Sequence, residues 1–188
     1  MPIPFRDAVE IEELGYAAYL RLVSEDAGAG WVGALFTINA RGEPIEFTYN
    51  RIDTPHSFLW RAQEVRQSAA RRLTASLLTL CPEPPKIIFC LAQEVGSELF
   101  GRDLEVSVPV CRIAPTVVSV SYWATETADS LNATEPLNLF WTPAKPLDDS
   151  PERRLLNELT TRGLAMEPFD RTLIGLREVY KIPASEDT

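Results

Sequence analysis

The sequence predicts an α+β fold with a mainly antiparallel sheet: an N-terminal three-strand meander, a long helix, further strands and two C-terminal helices. Three observations predict it. Strand-like runs follow one another between residues 17 and 50 with only short turns between them. One long apolar stripe of helical period follows. Two shorter helical segments, each opened by a proline, close the chain.

The elements follow in order. Residues 1–15 are acidic and read as an N-terminal arm or a short helix. "AAYLRLVSED" (17–26) reads as a strand and "AGAG" (27–30) as a loop. "WVGALFTIN" (31–39) is apolar and β-branched, as a central strand requires. "ARGEP" (40–44) is a turn in which Gly42 is free to take positive φ. "IEFTYN" alternates, with Ile45, Phe47 and Tyr49 on one face and Glu46, Thr48 and Asn50 on the other.

Asp53 or Thr54 can cap a helix that Pro55 opens, with His56 in its first turn. Ala62, Val65, Ala69, Leu73, Leu77 and Leu80 then recur at steps of three and four, a stripe on a helix of about 25 residues. "CPEPP" (81–85) stops it. "KIIFCLA" (86–92) is a strand buried on both faces, and "EVGSELFG" a single helical turn. "LEVSVPVCRI" and "TVVSVSYWATE" (116–126) read as alternating strands, with Pro109 placing the first at an edge or a bulge. Residues 127–150 form an irregular connection, with one short strand or anchored loop at "LNLFWTP". Ser150 caps a helix that Pro151 begins and Gly163 ends, and a last helix starts near Pro168. The 188 residues suit a single domain able to bury roughly 70% of its unfolded surface.

Composition narrows the chemistry. A net charge of −9 weighs against nucleic acid or anionic membrane as a partner of the whole surface. The three cysteines, Cys81, Cys90 and Cys111, lack C-x-x-C spacing and read as buried, reduced thiols of a cytoplasmic protein. With one histidine they make no short-spaced metal site, and no cofactor is implied. The start lacks a secretory pattern, and no window is long and apolar enough to span a membrane. There is no nucleophile elbow and no phosphate-binding glycine loop, and "AGAGWVG" opens no helix. No residue is assigned a catalytic role.

Two constellations remain. Glu46, Asp53, Glu94 and Glu98 are carboxylates that a metal-dependent hydrolase or nuclease would need to bring together. The long helix carries Arg61, Arg66, Arg71 and Arg72 against the single acid Glu64, and Arg51 and His56 precede it. Arg61 and Arg72 lie eleven residues apart and share a helix face. These six basic residues are the candidate binding residues, unless the arginines pair with the chain's own acids.

The meander followed by a long helix resembles sensor and scaffold folds of the roadblock, longin or PAS kind. The stretches "GALFTINARGEPIEFTY" and "AMEPFDRTLIGLREV" resemble an uncharacterised family of conserved bacterial proteins, which implies a compact α+β chain and no particular activity. The resulting expectation is a non-enzymatic, protein-binding subunit or adaptor of a cytoplasmic assembly. It would present surface from among Trp31, Trp60, Trp123 and Trp141 to a protein partner. The alternatives are the metal-dependent hydrolase or nuclease and a nucleic-acid accessory protein using the arginine helix.

Overall fold

A computed structural model of the chain describes residue 3 and residues 9–25, 30–54 and 58–182. Its elements are α1 (Val9–Glu12), β1 (Tyr16–Ser24), β2 (Gly30–Asn39), β3 (Pro44–Asp53), α2 (Ala62–Leu80), β4 (Ile87–Leu91), a π-helical turn (Leu99–Asp103), β5 (Val110–Pro115), β6 (Thr127–Leu131), β7 (Leu137–Thr142), α3 (Pro151–Thr161) and α4 (Glu167–Tyr180). The strands form a seven-stranded sheet in the order β3-β2-β1-β4-β5-β7-β6. The fold is α+β, and the sheet is mainly antiparallel: β1–β2, β2–β3, β5–β7 and β6–β7 are antiparallel, β1–β4 and β4–β5 parallel.

The meander is set by local chemistry. Gly42 takes φ +83°, and Asn39 Oδ1 accepts from the Arg41 and Glu43 N–H groups, which closes the β2–β3 turn. β1 and β4 lie at the centre and are apolar on both faces. Tyr19, Phe89 and Trp141 point toward α3 and α4, where they meet Leu155, Leu159 and Phe169. Leu20, Leu35 and Ile88 point the other way, toward Leu73 and Leu77 of α2 and Leu99 of the π-helical turn. Each such aliphatic side chain contributes about 1.5–3 kcal/mol by leaving water. The Tyr19 hydroxyl, buried and so held protonated, donates to the Leu164 carbonyl at 2.7 Å and ties the α3–α4 connection to the sheet.

The C-terminal helices form as expected. Ser150 Oγ accepts from the Arg153 N–H at 3.2 Å, Pro151 opens α3, and Gly163 follows its end at φ +73°. Among the described residues no helix is long and apolar enough to cross a membrane.

Three expectations are corrected. Asp53 caps no helix: it ends β3 opposite Gly30, because the ladder with β2 claims it. α2 begins at Ala62, and its N-cap is Arg61, whose N–H donates to Glu64 Oε2 at 3.0 Å. Residues 116–126 form no strand. The edge of β5 that they would need is taken by β7, and β6 covers the far side of β7 from within the stretch expected to be irregular. β5 starts at Val110, after Pro109, which has no N–H to give to a ladder, and the Leu104 N–H closes the π-helical turn by donating to Leu99 O. Of the expected arm or short helix over 1–15, residues 1–2 and 4–8 lie outside the described residues and Val9–Glu12 form the short helix α1; of the expected loop, 27–29 lie outside them and Gly30 opens β2.

Arg112, on β5, is 3% exposed and donates to both oxygens of Glu126 at 2.9 Å, to Val95 O at 2.9 Å and to Ser121 O at 3.3 Å. Replacing Arg112 with Met would strand the Glu126 carboxylate, and we expect a loss of about 3–5 kcal/mol in urea denaturation. Adding Glu126→Leu to Arg112→Met should recover most of that loss; a double variant as unstable as the single one would show that the charge is not the cause.

Candidate functional site

The strand order places a crevice. From β1 the chain leaves toward β2 on one side, and from β4 it leaves toward β5 on the other. β1, β4 and β5 run parallel, so their carboxyl ends meet at one rim, where the strand order switches between β1 and β4. Open sheets with parallel centres bind ligands at such a point. Here it holds a crevice of about 320 Å³, lined by Gln63, Arg66 and Gln67 of α2, by Gln93, Glu94 and Glu98 after β4, and by Asp103 and Ser121.

Each polar group is positioned by backbone geometry. The β1–β4 ladder ends at Leu20 opposite Cys90. Beyond Leu91 the chain turns, with the Glu94 and Val95 N–H groups donating to Leu91 O, and Glu94 folds back against β1. Its carboxylate accepts from Arg21 Nε at 2.8 Å and from the Leu22 N–H at 3.2 Å, and Arg21 Nη2 lies 2.7 Å from Oε1. Arg21 also donates to Phe169 O at 3.1 Å. Burial raises the Glu94 pKa above 4.5, and the Arg21 guanidinium opposes that rise. Arg66 reaches over the same turn and donates to Gln93 O at 2.6 Å and Glu94 O at 3.3 Å. Gln67 donates to Glu98 Oε1 at 3.0 Å, and Arg102 Nε donates to Asp103 Oδ1 at 3.0 Å.

A divalent ion needs several converging oxygens. Both oxygens of Glu94 are engaged by β1, and one of Glu98 by Gln67. Among the described residues no group of three or more His, Cys, Asp or Glu side chains is placed to hold a metal. In this arrangement the crevice presents a guanidinium, amides and partnered carboxylates, a set that suits an anionic ligand better than a cation.

The predicted residues divide. Arg66 enters the crevice, while Arg61, Arg71 and Arg72 are exposed and, among the described residues, form no ion pair. Among the described residues, the expected pairing of these arginines with the chain's own acids is therefore absent for those three. Arg51 lies on the edge strand β3 and pairs with Glu25 at 2.8 Å. His56 lies outside the described residues. Of the four carboxylates considered together, Glu94 and Glu98 converge. Asp53 ends the edge strand, three strand positions from β4 and so about 14 Å away, and Glu46 lies toward the start of that strand. Of the tryptophans, Trp141 is core and Trp31 is half-buried, whereas Trp60 and Trp123 are exposed.

Reading the sequence missed Arg21, Asp103 and the Arg112–Glu126 pair. A signal was there: "YAAYLRLVS" and "VCRIAP" each carry one arginine inside an otherwise apolar strand, and a charge so placed demands a partner.

Two outcomes test this geometry. Cys90 and Cys111 are buried, their thiols pushed up by desolvation, Cys90 to about 12, whereas Cys81 is half-buried. A thiol-reactive dye should therefore label Cys81 alone in the native protein and all three cysteines in denaturant; fast labelling of Cys90 would contradict the packing. The raised Glu94 value means that the folded state binds this proton more tightly than the unfolded chain does. Its contribution to stability is complete below pH 4.5 and falls as pH rises through the folded value. Glu94→Gln should thus gain stability relative to the parent as pH rises from 4.5 through the raised folded value, read as a change in the difference of urea midpoints.

No protein-family model and no curated protein matches the chain. Solved structures do share its fold. An endonuclease V from Streptomyces avermitilis aligns over 92% of both chains with a TM-score of 0.58 at 15% identity. The catalytic domain of human endonuclease V covers 90% of this chain and 85% of its own, at TM-score 0.56 and 12% identity. The Bacillus subtilis endonuclease V covers 88% and 81%, at 0.53 and 12%. The sensor and scaffold folds suggested by the meander are set aside, since the similarity to these structures takes in nearly the whole chain. The expectation of a non-enzymatic adaptor with a protein partner is likewise corrected: the structures that share this architecture are endonucleases. A net charge is a sum over the surface, and it hid the local excess of arginine on α2.

Proposed function

We propose that the protein acts on nucleic acid, taking a phosphodiester backbone across the crevice at the carboxyl ends of β1, β4 and β5. The observation that carries this reading is Arg66, which stands over the crevice on a helix whose Arg61, Arg71 and Arg72 remain free of acidic partners among the described residues. Guanidinium groups so displayed pair with phosphate oxygens. The fold shared with endonucleases supports the same ligand class. Cytoplasmic action fits this reading, with Cys81, Cys90 and Cys111 kept as thiols.

A second reading, phosphodiester hydrolysis at the same place, has one observation in its favour: Glu94, Glu98 and Asp103 line the crevice together. Carboxylates of this kind hold the ions of metal-assisted hydrolases, once freed from their present partners.

Fluorescence anisotropy with labelled DNA and RNA oligonucleotides across a salt series separates the possibilities. Binding should weaken steeply with salt, and the triple variant Arg66→Ala, Arg71→Ala, Arg72→Ala should flatten the log–log slope by roughly 2 units. An unchanged slope would remove the arginines from the interface, and no binding would overturn the reading. Cleavage in Mg²⁺ or Mn²⁺ that Glu98→Gln abolishes would establish the second reading.

A further inference from the structure

Residues 116–126 join β5 to β6 as an eleven-residue loop without regular structure. From 116 to 130 every residue is exposed or half-buried except Glu126, which is 7% exposed. That one buried residue is a carboxylate, and both of its oxygens are held by Arg112. Glu126 also accepts from the Trp123 N–H at 3.1 Å, while Arg112 donates to Ser121 O. Removing two charges from water is expensive, and here the pair buries no apolar loop in return. What it does is fix the backbone at Ser121 and at the Trp123 amide, on either side of Tyr122.

Those two rings face outward. Tyr122 is 57% exposed and Trp123 38% exposed. Tyr122 stacks on Phe140 with centroids 5.3 Å apart. The Arg102 guanidinium lies 5.5 Å from the Trp123 ring centroid, and its side chain is itself 59% exposed. The pair borders the crevice, because Ser121 and Asp103, their chain neighbours, line it. A rigid aromatic face backed by a guanidinium, beside an arginine-bearing crevice, has the composition of a platform for single-stranded nucleic acid, in which an unpaired base stacks and the adjoining phosphate meets a cation. A paired base inside a duplex offers no free face for this contact.

Resting on the proposed action on nucleic acid, we infer that the ligand is single-stranded, with an unpaired base stacked on Trp123 and its phosphates carried past Arg102 toward Arg66. The Arg112–Glu126 pair is the positioning device of this platform.

The test uses the full chain. Anisotropy is measured for a labelled oligothymidine and for a duplex of equal length, with parent, Trp123→Phe, Trp123→Ala and the triple arginine variant. The single strand should bind more tightly than the duplex. Trp123→Ala should weaken single-strand binding by roughly 10-fold with the salt slope unchanged, since stacking contributes without releasing counterions. Trp123→Phe should keep most of the affinity. Circular dichroism and thermal melting of Trp123→Ala should match the parent, as the ring is exposed. Equal binding of single strand and duplex, or Trp123→Ala binding at parental strength, would overturn the inference while leaving the arginine-dependent reading intact. Failure of the parent to bind either would overturn both.

Discussion

The rim of this protein depends on a buried ion pair. Arg112 projects from a central strand into the layer occupied by the π-helical turn, where it has no water. Its guanidinium must find acceptors inside, and it finds them on two separate segments: Val95 O after β4, and Ser121 O and the Glu126 carboxylate in the loop before β6. Two stretches of irregular chain are thereby held to one strand. Without that demand, residues 116–126 would have little reason to adopt a single conformation, since Glu126 is the one buried side chain among them.

Arg21 and Glu94 solve a related problem one strand over. β4 stops pairing with β1 at Cys90, which leaves the next β1 amide without a strand partner. Glu94 supplies one, and Arg21 neutralises the carboxylate that does so. The pair closes the gap between β1 and β4, the place where the strand order switches. The floor of the crevice is therefore electrically balanced, and the unbalanced charge sits above it on α2. Anions then meet the helix arginines first. This explains how a chain of net −9 can present a basic face.

Much of the architecture was legible in the residues. The β1–β3 meander, the apolar stripe of α2, β4 as a fully buried strand, and the Ser150-Pro151 start of α3 all follow from local rules of period, turn and cap. Two misreadings share one cause. Asp53 has the chemistry of a helix cap and "TVVSVSYW" the alternation of a strand, yet each was decided by whether a neighbouring strand offered an edge. Glu94 and Glu98 were legible as carboxylates near a strand end, but their relation to Arg66 and Arg21 was not.

The β1–β3 meander, the buried strand β4 and the capped start of α3 were settled by the sequence alone, because each depends on residues within a few positions of one another. Only the tertiary structure decided that β4 inserts beside β1, that Arg21 meets Glu94 across 73 residues of chain, and that an exposed loop is pinned by a buried carboxylate. Those contacts arise from long-range strand order and from the need of buried charges for partners, and neither leaves a periodic trace in the chain.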